Sequence, residues 1–270
     1  MGEKVWLVTG ASRGFGRTWT EAALERGDRV AGTARDLAQI EDLGERFGDA
    51  FLALELDVDD READRAAVGA AHSHFGQLDV VVNNAGYGHF GFVEELSEEE
   101  ARRQMETNFF GALWVSQAAI PFMREQGSGH IVQVSSIAGL TSFPGLGVYN
   151  ASKWALEGLS EAMYLELKDF GIAVTLIEPG GYATDWAGDS AAHSEPIEVY
   201  EPFRQARKKA WSTELPEAAD TVEALMAVVD SDDPPLRLLL SSMAYEGAQG
   251  AYSRRVAEWE RWESHSRGAE

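Results

Sequence analysis

The 270-residue chain contains no cysteine. That excludes disulfides, thiolate nucleophiles and cysteine-based metal sites, and it fits a cytoplasmic setting. No apolar run approaches the ~18 residues of a membrane-spanning helix. The amino terminus, MGEKVWLVTG, shows no basic leader and passes straight into a strand-like run, so no signal peptide is expected. Gly2 makes no acylation site, because Trp6 stands where Ser or Thr would be needed. Basic residues are scarce: 23 Lys and Arg face 45 Asp and Glu, a net charge of −22. Nucleic acid and anionic membranes need a positive face, so neither is expected as a partner. His72 and His74 stand two apart and would not face each other on a helix, so no metal site is expected. What is present is a 44% hydrophobic composition, enough for a sizeable core in one domain spanning 1–270.

Strand-like and helix-like segments alternate. The strand candidates are 4–10, 29–35, 51–58, 78–83, 130–135, 173–178 and 236–240. Most are continuous apolar runs such as VWLV, VVV and VTLI, which suit strands covered by helices on both faces. Helical patterns fill 15–26, 60–75, 98–125, 149–170 and 218–230, and Ser97 with Glu100 makes a capping box before the third. The alternation predicts an α/β fold, a Rossmann-type doubly wound parallel sheet of seven strands with helices on both faces. One segment breaks the rhythm. Residues 181–215 are mixed and irregular, as substrate lids often are. A helical tail follows at about 245–265, with Val256, Trp259 and Trp262 on one side, expected to cover the core or a neighbouring subunit.

The first strand ends in TGASRGFG, with Gly10, Gly14 and Gly16 between strand and helix. Glycine permits a tight turn and close approach to a pyrophosphate, and the helix start offers unpaired N–H donors. A cofactor with a free ribose 2′-OH usually meets an acid at the end of the second strand. In this chain Arg35 stands at that point with Asp36 after it, and Arg13 lies inside the glycine turn. Two guanidinium forks converging on a 2′-phosphate favour NADP(H); Asp36 leaves NAD(H) open.

Tyr149 and Lys153 stand four apart in VYNASKWALEGL. With seven tyrosines among 270 residues, such a pair arises by chance about 0.1 times, so alone it could be a solvated helix pair. It does not stand alone. TGASRGFG, Asp57 in LDV, NNAG from Asn83 to Gly86, Asn108, Ser136 in VSS, YNASK and the pair Pro179-Gly180 follow in order. Together they resemble the short-chain dehydrogenase/reductase family in its single-domain form, over roughly residues 4–240. TARD and ASKWALEGLSEAM are similar to the branch with hydroxysteroid and retinol dehydrogenases.

The resemblance implies roles. Tyr149 would be the general acid/base, with Lys153 beside it to lower its pKa and bond the nicotinamide ribose. Ser136 would hydrogen-bond the substrate oxygen, and Asn108 would hold a water that relays protons to the lysine. Gly10, Ser12, Arg13, Gly14, Phe15, Gly16 and Arg35 would hold the phosphates and adenosine. Asp57 and Val58 would face the adenine, with Asn83, Ala85 and Gly86 forming the floor. Pro179, Gly180 and Thr184 would lie near the nicotinamide amide. Asn83 could equally be structural. Homodimers or homotetramers are common in the family.

The pocket of the family is walled in this chain by YGHFGF, GLTSFPGLG and GYATDWAGD. Tyr87, Phe90, Phe92, Leu140, Phe143, Tyr182 and Trp186 make an aromatic set that suits a hydrophobic carbonyl or alcohol substrate, although the same rings could simply pack the loops. Arg204, Arg207, Lys208 and Lys209 form a basic cluster in the expected lid. Two other readings use the same scaffold: an epimerase or dehydratase, and a non-catalytic nicotinamide sensor. The first usually carries an added substrate domain. The second needs no intact tetrad, and all four residues are present.

Overall fold

A computed structural model describes residues 3–188, 190–210 and 214–269; the side chains of 207–210, and with them the expected cluster of Arg207, Lys208 and Lys209, lie outside the described residues. Among the described residues nine strands run in chain order: β1 (Val5–Val8), β2 (Arg29–Ala34), β3 (Phe51–Glu55), β4 (Val80–Asn83), β5 (His89–Phe90), β6 (Gly129–Val134), β7 (Ile172–Pro179), β8 (Ala192–His193) and β9 (Arg237–Leu240). The helices are α1 (Gly14–Glu25), α2 (Glu41–Phe47), α3 (Arg61–Phe75), α4 (Glu98–Met105), α5 (Ala112–Gln126), α6 (Gly147–Leu167), α7 (Glu201–Ala210), α8 (Val222–Val229) and α9 (Ser242–Arg267).

Seven strands form one sheet in the order β3-β2-β1-β4-β6-β7-β9, every pair parallel. Alternation along β1 explains why apolar runs were needed. Trp6 and Val8 point into a core with Trp19, Ala23, Leu225 and Val229 on one face. Val5 and Leu7 point the other way, toward Val68, Val115, Met123 and Met163. A strand buried on both faces has no polar side to spare. The winding direction reverses between β1 and β4, and the crevice at their carboxyl ends is where open α/β sheets hold ligands.

Four departures from the expected elements have local causes. The helix expected over 98–125 is divided: α4 ends at Met105, a π-helical turn spans Glu106–Gly111, and α5 follows. Such turns insert one extra residue and collect at functional sites. Helix α2 lacked a visible pattern because it is seven residues long and contains Gly44. The irregular segment is ordered in part, holding β8, which pairs with β5, and α7. In the tail, Val256, Trp259 and Trp262 are exposed, and the face that covers the core is Ala244, Ala248 and Ala251. Small side chains let α9 lie close to Ile137 and Leu140.

Asp64, on the buried face of α3, is fully buried, and neither carboxylate oxygen has a hydrogen-bond partner among the described residues. Burial, and then the charges of Asp60, Asp57 and Asp59, push its carboxyl up to about 8. A folded-state pKa above the unfolded value of 3.8 means that stability is lost as pH rises between those two values. The isosteric, neutral Asp64→Asn should therefore raise Tm. The gain over wild type should be small near pH ~4, grow to about pH 8 and level off beyond. Thermal scans across that range check it; a gain independent of pH would rule out the buried charge as its cause.

Candidate active site

The glycine turn is shaped by contacts with the strand beside it. Thr9, just after β1, accepts at Oγ1 from the backbone N–H groups of Asn84 and Ala85, each at 3.0 Å. The Asn84 side-chain amide donates to the carbonyls of Thr9 (2.9 Å) and Gly10 (3.0 Å). A Cβ on Gly16 would run into that same Gly10 carbonyl and Asn84 amide. Gly10 and Gly14 take φ of 67° and 54°, the left-handed region that favours glycine. Helix α1 begins at this turn with no side-chain cap and no acid in its first turn. Its N–H groups are thus left for an anion from outside the chain. A turn that excludes side chains and presents uncapped donors fits a dinucleotide pyrophosphate. Ser12 lies on this turn, half-buried, and Phe15 stacks on Trp19 at 5.0 Å.

At the adenosine end the two arginines do not converge. Arg35 is exposed at the end of β2. Arg13 instead reaches across to the 181–215 segment, where its guanidinium meets the Asp185 carboxylate at 2.6 Å. The two residues lie 172 positions apart in the chain. Asp36 is exposed, and one of its oxygens accepts from the Ala38 N–H at 3.1 Å and caps the following turn. Asp57 is exposed and Val58 buried after β3. Asn83 is turned inward, donating to Ser116 Oγ at 2.9 Å, which is the structural role.

Ser136 follows β6 and caps a short turn, accepting from the Ala138 N–H at 3.1 Å. Tyr149 and Lys153 lie on the inner face of α6, 5% and 6% exposed. The Lys153 ammonium donates to the Val134 carbonyl at 2.7 Å and lies 5.9 Å from the centre of the Tyr149 ring. Asn108 sits in the π turn, and its side chain is fully engaged. It accepts from the Tyr87 N–H, donates to the Tyr87 carbonyl, both at 3.0 Å, and reaches Ser152 Oγ at 3.3 Å. Gly86 closes the group: a Cβ there would stand 3.0 Å from Asn108 Oδ1 and 3.8 Å from Lys153 Nζ.

Burial decides the protonation states. It pushes the Tyr149 hydroxyl up to about 12, against smaller downward pulls from Ser136 and Trp186. It lowers Lys153 to about 8, opposed by Glu157. The lowering of the tyrosine by the lysine that the resemblance implies does not appear: the pulls against burial come from Ser136 and Trp186, and desolvation of a phenolate exceeds both. Burial thus favours the protonated form of the Tyr149 hydroxyl.

The aromatic set divides. Trp186 lies against Tyr149 at 5.0 Å and Phe90 at 5.3 Å, with Leu146, Phe143 and Ala191 in the same cluster. Leu140 belongs instead to the packing of α9, where Phe143 also reaches. Tyr182 meets Phe15 edge-on at 5.2 Å and joins the core beside α1, so it is not a wall of the Tyr149 pocket. Phe92 stacks on Tyr200 at 4.3 Å. Thr184 caps the turn that carries Trp186, and a Cβ on Gly14 would stand 3.7 Å from it, so the segment after Pro179 and Gly180 closes over the glycine turn. Sequence patterns gave no sign of the polar clasp of this segment. His89 Nε2 and Ser194 Oγ lie 2.8 Å apart, and Ser194 Oγ donates to Glu100 at 3.2 Å. Ser194 stands 105 positions from His89 and 94 from Glu100, so no local pattern joins it to either.

A family model described as short chain dehydrogenase matches residues 4–195. The chain is 39% identical over 264 residues to "Oxidoreductase BOA17" of Botryotinia fuckeliana, covering 96% of both chains. It is 34% identical over 253 residues to "Retinol dehydrogenase 8" of Homo sapiens, covering 86% of this chain and 79% of that one. The crystal structure of a short-chain dehydrogenase from Streptomyces avermitilis superposes with a TM-score of 0.94 at 39% identity, covering all of both chains. More distant structures were solved with NAD (Burkholderia phymatum, 27% identity, TM-score 0.79, 92% of each chain) and with NADP (Burkholderia cenocepacia, 27%, 0.76, 96% of this chain and 97% of that one). Among the described residues, no helix is long and apolar enough to cross a membrane. With the ordered motifs gathered at the carboxyl ends of one parallel sheet, the conclusion is that this chain belongs to the short-chain dehydrogenase/reductase family of oxidoreductases.

Proposed function

We propose that the protein interconverts a carbonyl and an alcohol on a hydrophobic small molecule, with NADP(H) as the preferred cofactor and Tyr149 as general acid/base. The observation behind this reading is the buried Tyr149–Lys153 pair next to Ser136, with the phenol held neutral. A nicotinamide cofactor supplies or accepts hydride when bound. In the reductive direction Tyr149 gives its proton to the substrate oxygen while Ser136 hydrogen-bonds the charge that develops there. Lys153, as an ammonium, stabilises the tyrosinate left behind and returns a proton to it. The phenol is protonated before the reaction begins, so reduction needs no pH adjustment at neutrality. Oxidation requires removing that proton first and gains as pH rises. Phe90, Phe143, Leu146 and Trp186 would form an apolar wall for the substrate, and the retinol dehydrogenase among the relatives supports a hydrophobic one. We read residues 181–215 as the substrate lid of a single domain.

The cofactor preference rests on Arg35, left free of Asp36 by the cap that Asp36 makes. The pair Arg13–Asp185 is half-exposed on the arginine side, a class worth about 0–1 kcal/mol, so Arg13 can exchange its partner for a phosphate. Steady-state kinetics should show Arg35→Ala raising KM for NADPH by about tenfold while KM for NADH stays within twofold (a lost charge-assisted contact of about 1.4 kcal/mol). Equal effects on both cofactors would remove Arg35 from the 2′-phosphate site.

The direct test of the reaction is NADPH oxidation over aliphatic, aromatic and steroidal carbonyls, with Tyr149→Phe in parallel. Turnover by wild type that falls by about 10²-fold or more in the variant is expected for loss of a general acid. Turnover that survives without the hydroxyl contradicts the assignment. Wild-type reduction should hold steady through neutrality and decline as pH passes about 8, where Lys153 loses its charge.

A further inference from the structure

Tyr149, Lys153 and Glu157 stand at i, i+4 and i+8 on α6, all on one buried face. The mechanism above uses only the first two. Glu157 Oε1 accepts the Ser135 hydroxyl at 2.6 Å, while Lys153 donates to the Val134 carbonyl at 2.7 Å. Successive turns of α6 thus clip successive residues at the end of β6, and the next residue is Ser136. The turn after Ser136 is shaped around the same carboxylate. A Cβ on Gly139 would stand 2.8 Å from Ser135 Oγ and 2.9 Å from Glu157 Cγ.

Two more strands reach this point. Arg237 of β9 donates from Nε to Glu157 Oε2 at 2.9 Å and from Nη2 to Glu161 at 2.7 Å. Glu178 of β7, which precedes Pro179 and Gly180, is fully buried, with Oε1 3.5 Å from Arg237 Nε. Neither of its oxygens accepts a hydrogen bond from a described donor. Burial first, and then Glu157, push its carboxyl up to about 8. Two carboxylates cannot both stay charged in such a place with one arginine between them. A proton on Glu178 removes the repulsion and supplies the hydrogen bond to Glu157 that neither carboxylate could donate. The charge then stays on Glu157, which already holds the bonds from Ser135 and Arg237.

We propose that Glu157 is a positioning residue of the active site, one that fixes the Ser136 turn through Ser135 and keeps the buried ammonium of Lys153 charged. This rests on the reading of Ser136, Tyr149 and Lys153 as the proton-transfer group. The charged and titratable groups that face Glu157 are Lys153 and Glu161 on its own helix, Glu178 on β7 and Arg237 on β9. Lys153 is the one whose charge the reaction needs. One turn away, a carboxylate opposes the desolvation that would otherwise strip its proton.

The test is an NMR titration of the ligand-free protein with ¹³Cε-labelled lysine, with the Lys153 signal assigned by its loss in Lys153→Met. In Glu157→Gln the Lys153 midpoint should fall from about 8 by about one pH unit or more, a tenfold change in its ionisation constant. Glu157→Asp, which keeps the charge, should restore most of that shift. Glu178→Gln should leave the midpoint in place, because the carboxylate that acts on Lys153 is Glu157. An unmoved midpoint in Glu157→Gln overturns the electrostatic half of the proposal. Ser135→Ala tests the other half and stands even if the glutamine variant does not fold. It should lower kcat by about tenfold with the Lys153 midpoint unchanged, and an unchanged kcat overturns it. The titration needs no substrate, so absence of turnover in wild type counts against the proposed reaction and leaves the role of Glu157 standing.

Discussion

A charged lysine held inside the protein is the constraint from which the rest of the site follows. Removing an ammonium from water costs several kcal/mol even after relaxation. Lys153 meets that cost with one short bond to the Val134 carbonyl and a carboxylate one turn away. The carbonyl is free to accept because β6 has ended there, and it has ended because the chain turns at Ser135 and Ser136. The inner face of α6 is therefore polar where the outer parts of the same helix pack as an ordinary apolar stripe. Tyr149 shares this face, and the burial that weakens the lysine holds the phenol's proton in place. In the proposed reaction Tyr149 is then an acid that keeps its proton, beside a cation that would take the charge when the proton leaves.

The second tension is between a chain of net charge −22 and an anionic cofactor. Local structure answers it. The uncapped start of α1 and the side-chain-free turn from Gly10 to Gly16 make a positive, close-fitting cradle out of backbone. Arg13, Arg17 and Arg35 stand at this end, Arg13 paired with Asp185 and Arg17 with Glu21 and Asp42. Arg13 is held by Asp185 of the segment that also carries Trp186, so the glycine turn and the wall over Tyr149 are joined by one ion pair.

Much of this was legible in the residues. Apolar runs, continuous in most, marked the seven strands of the main sheet, since a strand covered on both faces has little room for polar side chains. The glycine turn, NNAG, Ser136, Tyr149 and Lys153 were visible because backbone geometry restricts them to few residue types. The π turn at Asn108 was not legible, because a shift from i→i+4 to i→i+5 bonding leaves no compositional trace. The rest depends on partners distant in the chain. Nothing local told that Asp185 would draw Arg13 away, that Phe15 would claim Tyr182, or that Glu157, Glu178 and Arg237 would meet. A short helix containing glycine, α2, and the two-residue strands β5 and β8 fall below the length at which periodicity can be read.

Everything in the proposed chemistry turns on whether burial keeps Tyr149 a neutral acid in the ligand-free protein. Ultraviolet difference titration near 295 nm, comparing wild type with Tyr149→Phe, measures it directly. The two proteins should show the same tyrosinate absorbance up to about pH 10 and diverge only as pH approaches about 12. A tyrosinate step between about pH 6 and 9 that is present in wild type and missing in the variant would contradict it. Lys153 would then outweigh burial, and Tyr149 would serve first as a base.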